Sequence, residues 1–150
     1  MIYKPGLSKK VLSSLQRELG EVAEYLTCCR HDPALAKGTQ IINTCAGCDK
    51  RYRQLYEEIT TKSLWEVLAE STIFPFPNYQ GLEMTILDAC PTRNQVRVHD
   101  AVRTLLTKMN ITVVEPAKTK TKGTCCGDSY YGSLTVEQVK QKMIKRATEM

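Results

Sequence analysis

The stretch EMTILDACPTRNQVRVHDAVRTLLTKMNITVV, residues 83–114, decides the reading of the fold. Glu83 to Leu87 reads as a strand that ends near Cys90-Pro91. From Asn94 to Met109, the apolar residues Val98, Val102, Leu105, Leu106 and Met109 recur on one face at helical spacing. Ile111-Thr-Val-Val is β-branched and is closed by Glu115-Pro116. Strands alternating with helices predict an α/β architecture, with a mainly parallel sheet and flanking helices.

The alternation continues outward. Ser8 to Leu19 carries a helical stripe of Val11, Leu12, Leu15 and Leu19 that Gly20 ends. Val22 to Leu26 reads as a short strand running into Cys28-Cys29, and His31-Asp-Pro33 as a turn. Gln40-Ile-Ile-Asn is a buried strand with Cys45 just past its end, and Gly47 to about Ile59 is a helix with Tyr52, Leu55, Tyr56 and Ile59 on one side. Ser63-x-x-Glu66 is a capping box opening a short helix in which Leu64, Trp65 and Leu68 serve as core. The prolines of Ile73-Phe-Pro-Phe-Pro-Asn forbid a helix and mark a boundary between halves. A second capping box, Thr135-x-x-Gln138, opens a last helix lined by Val136, Val139 and Met143.

The chain has 150 residues, 42% of them hydrophobic and 25% charged, enough for one domain or two small packed halves. No apolar run serves as a signal peptide or approaches membrane-spanning length, which predicts a cytoplasmic protein without a membrane span. The net charge is +5. Lys118, Lys120 and Lys122 read as a solvated loop, and Lys140, Lys142, Lys145 and Arg146 as a solvated helix face. No aromatic residues interleave with these lysines, so nucleic acid is not an expected partner.

The chemistry lies in the cysteines. Cys28-Cys29, Cys45-Ala-Gly-Cys48 and Cys125-Cys126-Gly127 form three tight clusters, and Cys90 follows the apolar run that begins at Met84. Adjacent cysteines are poor disulfide partners, because a bridge wants Cα atoms about 5.5 Å apart. Seven cysteines in 150 residues also fall short of a disulfide-stapled secreted domain. Metal–thiolate or redox chemistry is the expectation. Cys45, Cys48 and Cys90 fall at strand ends, where parallel sheets bind ligands. Cys48 belongs in the first turn of its helix, where unpaired N–H groups favour negative charge.

The chain also reads as one and a half copies of a single unit. The first runs Pro5-Gly6-Leu7, a helix, Cys28-Cys29 and Cys45-x-x-Cys48; the second runs Cys90-Pro91, a helix and Cys125-Cys126-Gly127. This pattern resembles the cysteine-rich CCG domain of the heterodisulfide reductase B subunit, also found in glycolate oxidase iron–sulfur subunits. Cys90-Pro-Thr-Arg93, with Val102-Arg103 in the next helix, matches the same context. The resemblance implies a first unit over residues 1–72, a proline-rich linker over 73–82 and a second unit over 83–150. It implies five cysteines per complete unit, holding a four-iron four-sulfur cluster or, in some units, zinc.

Three positions depart from that pattern. Leu7 replaces the first cysteine of the first unit, Arg30 follows Cys28-Cys29 in place of glycine, and no CxxC follows Cys126. The second unit is therefore read as incomplete, as in a C-terminally truncated two-unit member. Cys28, Cys29, Cys45 and Cys48 are the expected metal ligands of the first unit, for zinc or a cluster. Cys90, Cys125 and Cys126 are the expected cofactor ligands of a substrate-facing redox cluster, absent or incomplete with three thiols alone.

The implied function is an iron–sulfur oxidoreductase subunit that exchanges electrons with a thiol, disulfide or hydroxy-acid substrate. It would work with electron-transfer subunits, since the chain has no GxGxxG or other nucleotide motif. The alternatives are a zinc-bound or metal-free scaffold module and, more remotely, a thioredoxin-like dithiol enzyme. Self-association through unfinished sheet edges is a further expectation. His31 and His99 read as surface or partly packed histidines. Asp88 and Arg93 either tune the charge of Cys90 or stand as a strand-end polar residue and a solvated arginine.

Overall fold

The computed structural model of the protein describes residues 7–20 and 35–149. The anticipated strand at 22–26, Cys28-Cys29 and the turn at 31–33 lie outside the described residues. The chain divides into two compact units, Met1–Pro77 and Asn78–Met150. The division falls inside the proline-rich 73–82 segment.

Unit 1 holds α1 (Leu7–Leu19), β1 (Gln40–Asn43), α2 (Ala46–Leu55), β2 (Thr60–Ser63) and α3 (Leu64–Glu70). β1 and β2 pair in parallel, Gln40 opposite Thr60 and Asn43 opposite Ser63, with α2 as the crossover. Ile41 and Ile42 supply the apolar strand, and Leu15, Tyr52, Val67 and Leu68 close the core around it. α2 ends at Leu55, one turn short of the expected Ile59. Tyr56 turns to extended backbone, and Ile59 leads into β2.

β2 itself is unexpected from sequence. Thr60-Thr-Lys-Ser63 offers no apolar residue, and it is a strand because the crossover returns it to the ladder of β1. Ser63 then caps α3: its Oγ accepts from Trp65 N–H, and Glu66 accepts from Ser63 N–H at 2.9 Å. Trp65 is a correction to the sequence reading. It stands 44% exposed, because α3 turns Val67 and Leu68 inward instead.

Unit 2 repeats the device. β3 (Leu82–Thr85) and β4 (Ile111–Val114) pair in parallel across α4 (Val96–Lys108), with Leu82 opposite Ile111. Val98, Ala101 and Leu105 bury the inner face of α4, with Ile111 of β4 beside them. The observed sheets are thus two separate parallel pairs. β3 is exposed at all four positions, unlike the strands of a sheet covered on both faces. α5 (Val136–Ala147) follows, its Thr135–Gln138 capping box formed as expected. Its inward face is only partly the anticipated one: Val139 is buried as expected and Arg146 is buried with it, whereas Val136 and Met143 are exposed. Among the described residues no helix is long and apolar enough to cross a membrane.

Candidate thiol site

The site of unit 2 starts from a carboxylate. Asp88, two residues before Cys90, accepts a paired contact from Arg103 of α4: Nη1 to Oδ1 at 2.8 Å and Nη2 to Oδ2 at 2.9 Å. The Thr119 hydroxyl and the Lys120 backbone N–H both donate to Oδ2, at 2.7 and 2.8 Å. Arg103 also donates from Nε to Glu115 at 2.6 Å. One guanidinium thereby ties the end of the β3 segment to α4 and to the loop after β4. Such forked, charge-assisted pairing is the strongest hydrogen bonding available to side chains.

Burial opposes the charged form of Asp88, but Arg103, Thr119 and Lys120 N–H outweigh it and hold its carboxyl well below the usual range. The Arg103 bond likewise lowers Glu115. Asp88 is therefore a strand-end polar residue, as one of the two readings expected, and it fixes the loop that carries Cys90.

From that anchor the chain enters a 3-10 turn, Cys90–Thr92, started by Pro91. Cys90 reaches across to the loop before α5, where its thiol donates to Thr124 O at 3.8 Å. The Cys126 backbone N–H and the Cys125 side chain are also within hydrogen-bonding reach of the Cys90 sulfur. The three cysteines expected to act together in the second unit therefore meet. All three are half-buried, and none of them forms a disulfide. Burial is the largest influence on Cys90 and pushes its thiol pKa up; the Cys126 N–H works against this.

Gly127 explains the local shape of the pair. Its φ is +105°, in the region that side chains rarely adopt, and it leads into a 3-10 turn at Asp128–Tyr130. A Cβ at this position would lie 3.2 Å from Lys142 Cβ and from Val139 O, so the loop packs directly onto α5. The Gly127 N–H in turn donates to Cys125 Sγ at 3.4 Å.

Beside Cys125 opens a cavity of about 440 Å³. Arg93, Lys122, Lys142 and Lys145 line it, together with Cys125 and Tyr130. Lys142 Nζ lies 4.8 Å over the Tyr130 ring. Lys118, Lys122, Lys140 and Lys145 are exposed, as a solvated loop and helix face would be, and Lys122, Lys142 and Lys145 in addition line this one concave site. Arg146, by contrast, is no solvated residue. It is 2% exposed, and its Nη1 donates to Lys118 O at 2.9 Å. The signal available in sequence was the spacing of Lys142 and Lys145, one turn apart on α5.

In unit 1, Cys45 precedes α2 and Cys48 stands in its first turn, as expected. Cys45 is exposed and Cys48 half-buried. The same turn already carries a negative charge: Asp49 is buried and accepts from Arg53 Nε at 2.8 Å and Asn43 Nδ2 at 3.3 Å. Cys28 and Cys29 lie outside the described residues, as does His31. Among the described residues, no three His, Cys, Asp or Glu side chains are arranged as a ready metal-binding group.

His99 is 1% exposed, with no hydrogen-bond partner at either ring nitrogen, and so is core rather than surface or partly packed. Burial is the main influence on it and lowers its pKa, against the opposing pull of Asp88. No protein-family model, curated protein or solved structure matches this chain.

Proposed function

We propose that the chain is a redox subunit of the heterodisulfide reductase B type, with Cys90, Cys125 and Cys126 as its substrate-facing centre. The observation that supports this is the meeting of Cys90 with the Cys125–Cys126 pair, drawn together from the two ends of the β3–α4–β4 crossover. Structural thiols have no need of such company, whereas redox and metal sites depend on it.

In donor chemistry the trio suits an iron–sulfur cluster or zinc, both of which take soft thiolates. In arrangement it is a partial ligand set that needs further ligands or adjustment. Bound there, a cluster would supply electrons to a substrate sulfur. The chain's own part is to bring three sulfurs together, with Cys125 on the cavity wall and Cys90 and Cys126 beside it. Gly127 N–H would steady the Cys125 sulfur as it gains negative charge. In this reading Cys28, Cys29, Cys45 and Cys48 make a second thiolate site, and electron-transfer subunits deliver the reducing equivalents.

The test is the metal and acid-labile sulfide content of anaerobically purified protein, together with its visible spectrum. Iron and sulfide in about equal amounts, with absorbance lost in Cys125→Ser, is the expected result. Zinc without sulfide would replace this reading with the scaffold module. Absence of both iron and zinc after anaerobic reconstitution would overturn the cofactor assignment.

A further inference from the structure

We infer that the cavity beside Cys125 recognises the anionic end of a small thiol or disulfide, a ligand bearing two or more negative charges as carboxylate or phosphate. The sulfur half of this assignment rests on the redox reading; the anion half rests on the cavity alone.

Three observations carry it. The first is convergence. Arg93 follows the 3-10 turn of Cys90, Lys122 belongs to the loop after β4, and Lys142 and Lys145 stand on α5, yet all four line one cavity. A volume of about 440 Å³ lies within the range of small-molecule sites and far below that of a macromolecular groove.

The second is the absence of a counter-charge. No acidic residue lines the cavity, and among the described residues none of these four cations has a carboxylate partner. Glu149 is the carboxylate joined to the lining residue Thr124, and Lys118 and Arg146 already engage it. Gathering like charges in a concave site costs stability and focuses a positive potential that an anion would relieve.

The third is Arg146. Its side chain is 2% exposed, and its Nε and Nη2 have no hydrogen-bond partner. Nη2 lies 3.5 Å from the place a Cβ would take on Gly123, itself a lining residue. Arg146 thus stands behind Gly123 rather than on the cavity wall, a fifth positive charge close to the lining that Glu149 partly balances.

The geometry also fixes an order along the ligand. Cys125 is the thiol on the cavity wall, so the charged groups lie among the lysines while the ligand's sulfur faces Cys125 and, beyond it, Cys90. Cationic or neutral disulfides of equal size lack that hold.

The test compares modification of Cys125 in the full chain by three disulfides, read by mass spectrometry. These are dithiobis(nitrobenzoate), which carries two carboxylates, uncharged dithiodipyridine and cationic cystamine. Lys142→Gln/Lys145→Gln should slow the dicarboxylate about tenfold and leave the neutral probe unchanged. Arg93→Gln should act in the same direction, and added salt should erase the difference. Lys140→Gln, exposed on the same helix but absent from the cavity, is the control and should change nothing. Inorganic phosphate should protect Cys125 from the neutral probe.

Equal slowing of all three probes, or no slowing of the dicarboxylate, overturns the proposal. The two readings fail separately. Anion preference without iron, sulfide or zinc keeps the cavity and removes the cluster. A cluster without anion preference keeps the redox centre and removes the ligand class.

Discussion

Replacing Gly127 with alanine isolates what the loop of the cysteine pair costs to build. Two penalties add. The backbone at φ +105° is one that an L side chain enters at a cost of about 1–2 kcal/mol. The new methyl would also sit 3.2 Å from Lys142 Cβ and Val139 O and 3.4 Å from Val139 Cγ1. Because one of these neighbours is helix backbone, the contact cannot be relieved by a rotamer change alone. Overpacking of this kind costs about 1–3 kcal/mol, for a total of about 2–5 kcal/mol.

Urea unfolding measures it. With a slope of about 1–3 kcal/mol per molar, the midpoint should fall by roughly 1–2 M at unchanged slope. Gly132→Ala supplies the comparison. Its φ is +96°, but no atom lies within 4 Å of the added Cβ, so only the backbone term of about 1–2 kcal/mol applies. If Gly127→Ala costs no more than Gly132→Ala, the loop is not packed on α5 as described and the reasoning fails. The substitution should also move Gly127 N–H away from Cys125 Sγ and change the rate of Cys125 alkylation.

Four further outcomes are expected. Arg103→Gln leaves Asp88, whose side chain is 5% exposed, buried without its partner. It should cost about 3–5 kcal/mol, read as a urea midpoint. Asp88 and Glu115 have lowered folded-state pKa values against ordinary ones of 3.8 and 4.5. Their stabilisation is complete above those values and disappears as pH falls through the lowered ones. Stability measured in acid should therefore drop below about pH 4.5 in the wild type and much less in Arg103→Gln. Cys90, raised above its ordinary 9.0, should show half-maximal alkylation by iodoacetamide above that pH; a midpoint below it would contradict the described burial. Ser63→Ala and Thr135→Ala should each cost about 1 kcal/mol by thermal unfolding, since each removes one arm of a formed capping box.

What could be read from sequence depended on how local the signal is. The apolar residues of α4 and the β-branched Ile111-Thr-Val-Val carry their own periodicity, and both elements form within two residues of the expected bounds. The two capping boxes were equally legible, because their bonds close within four residues. β2 was not, since Thr60-Thr-Lys-Ser63 is a strand only through its pairing with β1. On α5 the pattern of apolar residues pointed to Val136, Val139 and Met143, and of these Val139 alone is buried. The helix turns Arg146 inward with Val139, because Gly127 packs against Val139 and Lys142.

The same division holds for the site. Cys90 and the Cys125–Cys126 pair were legible because cysteine is scarce and its spacing distinctive. The cationic cavity was not: a lysine in a loop or on a helix looks solvated until tertiary structure brings Arg93, Lys122, Lys142 and Lys145 together. Nor could periodicity reveal that Asp88 belongs to Arg103, fifteen residues away.

The buried imidazole of His99 makes the molecule its own reporter. The chain has only two histidines, so each can be followed as a separate resonance by proton NMR. With both ring nitrogens sealed from solvent, the His99 signal should stay fixed through the pH range in which an ordinary imidazole titrates. It should begin to move only when α4 lifts from β4. Ligand addition, metal loading or oxidation of the thiols can then be followed at a site outside the cavity lining, without a dye or an added label. A change in that one line would register the integrity of the second unit separately from the chemistry at its sulfurs.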